Sequence, residues 1–318
     1  MILMRVANVD SAPEAPADSK IRPWVLRQFR RHTGSALAGV FGAAAFDEVA
    51  LAPVAAAVDR TGRFARNFTD RGVRSGASTM LVFFGDAQDR AAEAERLKRL
   101  HRDVRGAGKD RFTDVRYSAL APELWKWIGV SGLLVPIHSF TPATGIEMTP
   151  AEREAAYQML VEAFSVLELP SKAGAMPATY AEASAYYDEM VTTRLESNPF
   201  LRQVIEGLTR LPLPTLGLPA LVRAAVTPAW MLLRPAAGRL VKVCSFGIMH
   251  PRMRELTGFR WDRRHDAEFG VYTALLQAAW RVLPDRVLLV PLAYNRIQYE
   301  KIVSAYRSVG LSSFAPPE

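Results

Sequence analysis

Helical punctuation constrains this chain more than any other feature. From Trp24 onward, apolar residues recur at the three- and four-residue spacing of an α-helix, and the runs stop at proline or glycine. The clearest runs cover 86–105, 122–139, 149–167, 180–196, 238–257 and 262–282. Thr149-Pro150-Ala151-Glu152 is a helix start, with Thr as N-cap, Pro at the first helical position and Glu at the third. Thr179-Tyr180-Ala181-Glu182 repeats the Thr-x-x-Glu box. Strand signals are poor. VLLVPLAY at 287–294 has a strand's composition, but a proline interrupts it and no second run pairs with it. These features predict an all-α protein: one large helical domain over 21–318, behind a flexible tail over 1–20 rich in small, acidic and proline residues. The natural ligand site in such a fold is a cavity between helices.

With 318 residues, 49% of them hydrophobic, the chain can bury a large core. Its formal charge of +8 raises the question of nucleic acid. The cations are scattered and interleaved with acids, as in DRTGR and RWDRRHDAE, so no nucleic-acid partner is expected. Most of the charge coats solvated helix faces; attraction to anionic lipid head groups is the other use open to it. The single cysteine, Cys244, excludes an internal disulfide and agrees with a cytoplasmic setting. Arg30-Arg31 followed by HTGSALAGVFGAAAF resembles a twin-arginine export signal, but FDEVALAPVAAAV continues into more helix, so the segment reads as part of the folded protein. No uninterrupted apolar run reaches spanning length. The nearest approach, 211–233, carries four prolines and Arg223, and suits either an irregular core stretch or a membrane surface.

Nucleotide-binding, zinc-protease, redox and serine-hydrolase signatures are absent. The five histidines are far apart, and no spacing supports a zinc site. Met159, Met176, Met190, Met231, Met249 and Met253 read as core filler. Trp125 and Trp127 cannot share a helix face, so one is expected inside and the other at a groove. His101 stands out. Ala94, Leu97 and Val104 share its helix face, which makes it either a buried core residue or a ligand aimed into a pocket.

Several short motifs occur in a fixed order: Ala52-Pro53-Val54-Ala55-Ala56, Phe84-Gly85, His101-Arg102-Asp103-Val104-Arg105-Gly106, and Tyr117-Ser118-Ala119-Leu120-Ala121-Pro122-Glu123 followed by Trp125 and Trp127. PATYAEASAYYDEMV adds a later proline-led helix. In this order the chain resembles the rubber oxygenase catalytic domain family, which includes latex-clearing protein and the MpaB-type oxygenases. The resemblance runs from about Phe46 to His265 and is strongest over 49–127.

The resemblance implies a globin-like helical core and a b-type haem whose iron is held by His101. It also implies dioxygen and a hydrophobic, isoprenoid or lipid-like substrate, with peripheral membrane contact as a further expectation. The family's Arg-x-x-x-Thr motif falls on Arg71-Gly72-Val73-Arg74-Ser75, with Ser75 where Thr is usual. A rival register uses Thr79 but leaves Ser75 at the arginine position. Where rubber oxygenases carry a distal lysine this chain has Arg74, whose guanidinium keeps its proton and cannot bind iron. Arg71 and Arg74 are then expected to donate to dioxygen or a haem propionate, unless both only sit on a solvated helix start after Asp70. Gly129 replaces a histidine common in relatives. Trp127, Phe140 and 211–235 are the candidate walls of a substrate channel. Two other functions stay open: a non-catalytic haem or lipid carrier or sensor, and a cofactor-free membrane-associated relative.

Overall fold

The computed structural model describes residues 20–60, 68–215, 217, 219–311 and 313–314. In chain order, α1 (Pro23–Thr33) leads into a 3₁₀ helix (Ala36–Ala50), then α2 (Ala52–Asp59), α3 (Phe68–Phe84) and α4 (Ala87–Arg102). A short antiparallel ribbon, β1 (Arg105–Ala107) with β2 (Arg116–Ser118), precedes α5 (Pro122–Thr144). Next come α6 (Pro150–Phe164), α7 (Tyr180–Thr193), α8 (Pro199–Gly207), the long α9 (Ala220–Ile248) and α10 (Pro251–Leu256). α11 (Arg263–Val282), α12 (Asp285–Leu288) and α13 (Pro291–Ser308) follow. The fold is all-α, as the periodicity predicts. All but Lys20 of the tail expected over 1–20 lies outside the described residues.

The core is built on α5. Its buried residues run from Trp125 to Thr144 and lie all round the helix, so it needs cover on every side. The 3₁₀ helix, α1, α6, α7 and α11 supply it. The 3₁₀ helix is unusually long for its kind. Its three-residue period puts Phe41, Ala44, Asp47 and Ala50 on one edge, and all four are buried. At about 100° per residue an α-helix would set Ala50 opposite Phe41 and spread this edge around its circumference. The winding therefore decides that Asp47 faces inward.

Sequence and structure differ in instructive places. The Thr149 capping box forms in full. Thr179 caps Glu182, but the Glu182 carboxylate accepts from Ala178 N, one residue before the cap. The run expected over 238–257 is the second half of α9, which begins at Ala220 and passes through Pro228 and Pro235. Each proline removes a backbone donor, and because both are exposed, water can serve the freed carbonyl. Residues 287–294 form no strand: Pro291 is the first residue of α13. Met190, Met249 and Met253 are buried as expected, whereas Met231 is exposed. Trp125 and Trp127 are both buried, in separate apolar clusters, so neither lines a groove. Phe140 is core as well, which removes it and Trp127 from the expected channel wall.

The twin arginines serve the fold. Arg31 pairs with Asp285 at 2.6 Å and stacks over Trp280, while Arg30 reaches Glu300 at 2.7 Å. Val290 N donates to Gly34 O beside them, and Ser35 bridges to Leu289. The C-terminal helices are thereby fastened to α1.

Candidate functional site

The expected stripe on α4 exists. Ala94 is buried, and Leu97, His101 and Val104 are half-buried. Asp86 caps the helix by accepting from Asp89 N at 2.8 Å. At the other end, His101 Nδ1 lies 2.7 Å from Leu97 O. A carbonyl can only accept, so Nδ1 carries a proton, and the tautomer this contact selects has its lone pair on Nε2. The ring meets Trp125 edge to face, with centroids 5.5 Å apart. Trp125 is itself fixed by donating Nε1–H to Leu167 O at 2.8 Å. Just beyond, Gly106 has φ of +152°, a conformation that side chains rarely adopt, where the helix gives way to β1. The motif from His101 to Gly106 thus ends a helix, orients an imidazole and turns the chain into the ribbon.

A second cluster lies where the 3₁₀ helix meets α3, α5 and α7. Asp47 is 2% exposed and accepts from the Tyr187 hydroxyl at 2.6 Å; its other oxygen has no hydrogen-bond partner among the described residues. Burial pushes its carboxyl up to about 7, against the pull of Tyr187 and the Glu48 backbone. Glu48 is pushed up to about 8 by burial and by Asp47, with Arg71 and Ser131 pulling the other way. At neutral pH this pair holds at least one proton. Arg71 feels the opposite forces: desolvation lowers it and Glu48 raises it, although the residue as a whole remains exposed. Trp127 stacks on Tyr187 at 5.6 Å and is fully buried, with its indole N–H unpaired among the described residues.

Of the expected site residues, the structure joins Arg71 to this acid pair and sets His101 against Trp125. Arg74 and Ser75 are exposed on α3, and the Ser75 carbonyl accepts from Thr79 Oγ1 at 2.9 Å. Their exposure fits the solvated helix start for those two. Asp70 does not: it is buried and held by the backbone and hydroxyl of Thr215. Asp47, Glu48, Ser131 and Tyr187 were not anticipated. The signal was present, because two adjacent acids interrupt the apolar run AAAFDEVALA.

Gly129 has a packing reason. A Cβ there would lie 2.8 Å from Phe164 and 3.1 Å from Met176, so no histidine fits without moving both. Burial keeps His32 and His138 neutral, at about 4. Their partners are Ser139 and Tyr180. Cys244 is raised to about 12 by burial and stays a thiol. A groove of about 600 Å³ lies beside Phe68, Phe200, Arg210, Leu211, Pro212 and Lys242, and another of about 490 Å³ beside Asp59 and Arg111. Neither is lined by His101.

No group of three or more His, Cys, Asp or Glu among the described residues could hold a bare metal ion. A haem asks less of the protein, because the porphyrin supplies four nitrogens and one imidazole completes the iron's proximal side. His101, with Nδ1 committed and Nε2 available, fits that single demand.

No curated protein and no solved structure matches the chain at a significant level. A family comparison does match, over residues 27–278, which include the 3₁₀ helix, the acid pair, Arg71, His101, Trp125 and Trp127. The chain belongs to the family described as ER-bound oxygenase mpaB/B'/rubber oxygenase, catalytic domain.

Proposed function

We propose that this protein is a haem b-dependent oxygenase acting on dioxygen and a hydrophobic, isoprenoid or lipid-like substrate. The observation that carries the reading is the His101 imidazole, fixed by Leu97 O and Trp125 so that Nε2 is the free donor. The family, whose members are oxygenase catalytic domains, supports it. Bound haem would supply the one-electron and dioxygen chemistry. The chain's own groups do the rest. His101 would hold the haem iron through Nε2, and the Nδ1–H to Leu97 O fixes the plane of the ring. Arg71 provides a fixed positive charge for oxygen or a propionate, and Glu48 keeps a proton beside it at neutral pH. Arg74 and Ser75 stand one turn along α3 and are exposed, so they would reach oxygen or a propionate only from the solvent side. A hydrophobic substrate partitions into membranes, so peripheral membrane contact belongs to this reading.

The test is the absorption spectrum of protein expressed with added haem. A Soret band with a b-type pyridine haemochrome is expected, and His101→Ala should lose it while circular dichroism stays unchanged. No Soret band after haem titration, or haem kept with an unaltered spectrum in His101→Ala, overturns the assignment. The groove lined by Phe68, Phe200 and Leu211, with Arg210 and Lys242 beside Glu206, favours a second reading, lipid binding without turnover. Fatty-acid binding with no oxygen consumption would establish that one instead.

A further inference from the structure

The first half of α9 is built the wrong way round for a soluble protein. Between 220 and 236 nearly every residue is exposed, yet the segment reads ALVRAAVTPAWMLLRPA. Leu221 and Leu232 are 86% and 83% exposed, among the most exposed apolar residues described. At about 100° per residue, Arg223, Trp230 and Arg234 fall within about 20° of one line along the helix, and Leu221 and Leu232 fall on the opposite side. The half-buried line is the one carrying the two arginines and the tryptophan. Trp230 Nε1 donates to Leu211 O at 2.8 Å, which seats that line on the proline-rich segment beneath. The cationic, aromatic face therefore looks toward the protein, and leucine, valine and alanine look away from it.

The charge pattern names what covers this surface. Residues 220–236 carry two arginines and no acid, while farther along the chain Arg239 and Arg252 pair with Glu268 and Glu255. Arg223 and Arg234 form no ion pair among the described residues. A protein groove would engage one stripe of a helix. Here apolar side chains cover more than half the circumference, with Val222 and Leu233 on one flank and Met231 on the other, which suits a fluid apolar phase. The helix is too polar to cross a bilayer, and no single described helix is long and apolar enough to do so. Its length over 220–236, about 25 Å at a rise of 1.5 Å per residue, suits lying in the interface plane. Tryptophan and arginine at the boundary are the side chains that reside at head-group depth.

We propose that residues 220–236 dock the protein on an anionic lipid bilayer, with Leu221 and Leu232 entering the acyl region and Arg223 and Arg234 at the phosphates. The inference does not depend on haem. It is tested by co-sedimentation of the full chain with phosphatidylcholine vesicles, with and without phosphatidylglycerol. Binding to the anionic vesicles that weakens with salt is expected. Leu221→Asp with Leu232→Asp should weaken it by about tenfold or more, since two charges replace the inserted side chains. Arg223→Gln with Arg234→Gln should remove the preference for phosphatidylglycerol. Circular dichroism should be unchanged in both variants. Protein left in the supernatant with every vesicle, or pelleted equally by wild type and the aspartate variant, overturns the proposal. So does a concentration-dependent dimer in light scattering that the aspartates disrupt and vesicles do not compete with, for then a second copy covers the face.

Discussion

The 3₁₀ helix and the first half of α9 have similar compositions and opposite fates. Both are runs of alanine, valine and leucine with few charges. The first turns an edge of Phe41, Ala44, Asp47 and Ala50 into the protein and carries its carboxylate inward. The second holds its arginines against the protein and turns its leucines out. Neighbours explain the contrast. The 3₁₀ helix packs on α5, α8 and α9, whereas residues 220–236 rest on the 211–215 segment through Trp230. Hydropathy shows which segments need cover; the tertiary fold shows which are covered by their own chain.

The contrast breaks most sharply at Trp127. Trp127→Ala removes a fully buried ring stacked on Tyr187 and should cost about 3–5 kcal/mol in urea unfolding. A loss below about 1 kcal/mol would mean the junction of the 3₁₀ helix, α5 and α7 is not the anchor of the fold. Filling the space at Gly129 is the next largest change. Gly129→His drives an imidazole into Phe164 and should cost about 1–3 kcal/mol, seen as a lower Tm.

The acid pair gives a pH signature. Asp47 and Glu48 have folded-state values raised to about 7 and about 8, above their ordinary range. The folded state then binds more protons than the unfolded one, so their contribution is greatest at low pH and is lost as pH rises toward 8. Glu152 slopes the other way. Arg22 holds its carboxyl down at about 2, so its contribution is full above the ordinary carboxylate range and is lost as pH falls through about 2. Asp47→Asn with Glu48→Gln should flatten the decline of Tm between the ordinary carboxylate range and about pH 8, and leave the loss near pH 2 intact. The same slope in wild type and variant would refute the assignment.

The smallest stability effect belongs to the outer helix. Leu232→Asp should move the unfolding free energy by no more than about 0.5 kcal/mol, because the side chain already meets water. A large loss would show that the fold itself covers this leucine.

How much of this was legible beforehand varies with the physics involved. The helices at 86–105, 122–139 and 262–282 could be read because each repeats one period and has a local start signal. His101 could be found because an imidazole in an apolar stripe is local information. Its fixed tautomer also follows from a neighbour four residues back. Asp47 could not be oriented, since α and 3₁₀ windings place it on different faces and only packing against α5 and α9 selects between them. The electrostatic attraction between Glu48 and Arg71 acts between residues on different helices, and no periodicity reports it. The exposure of 220–236 was equally hidden, because a run of alanine and leucine looks the same whether or not the chain folds over it.

The fastening of α1 by the C-terminal helices has a consequence in time. The family match ends at 278, but the partners of Arg31 and Arg30 lie at Asp285 and Glu300. A ribosome adding roughly 5–20 residues per second makes these partners tens of seconds after the arginines, by order of magnitude. During that interval a pair of arginines followed by an apolar stretch is displayed without the carboxylates that pair with it in the finished fold. The order of synthesis, and not the finished fold, sets how long this protein presents what resembles an export signal.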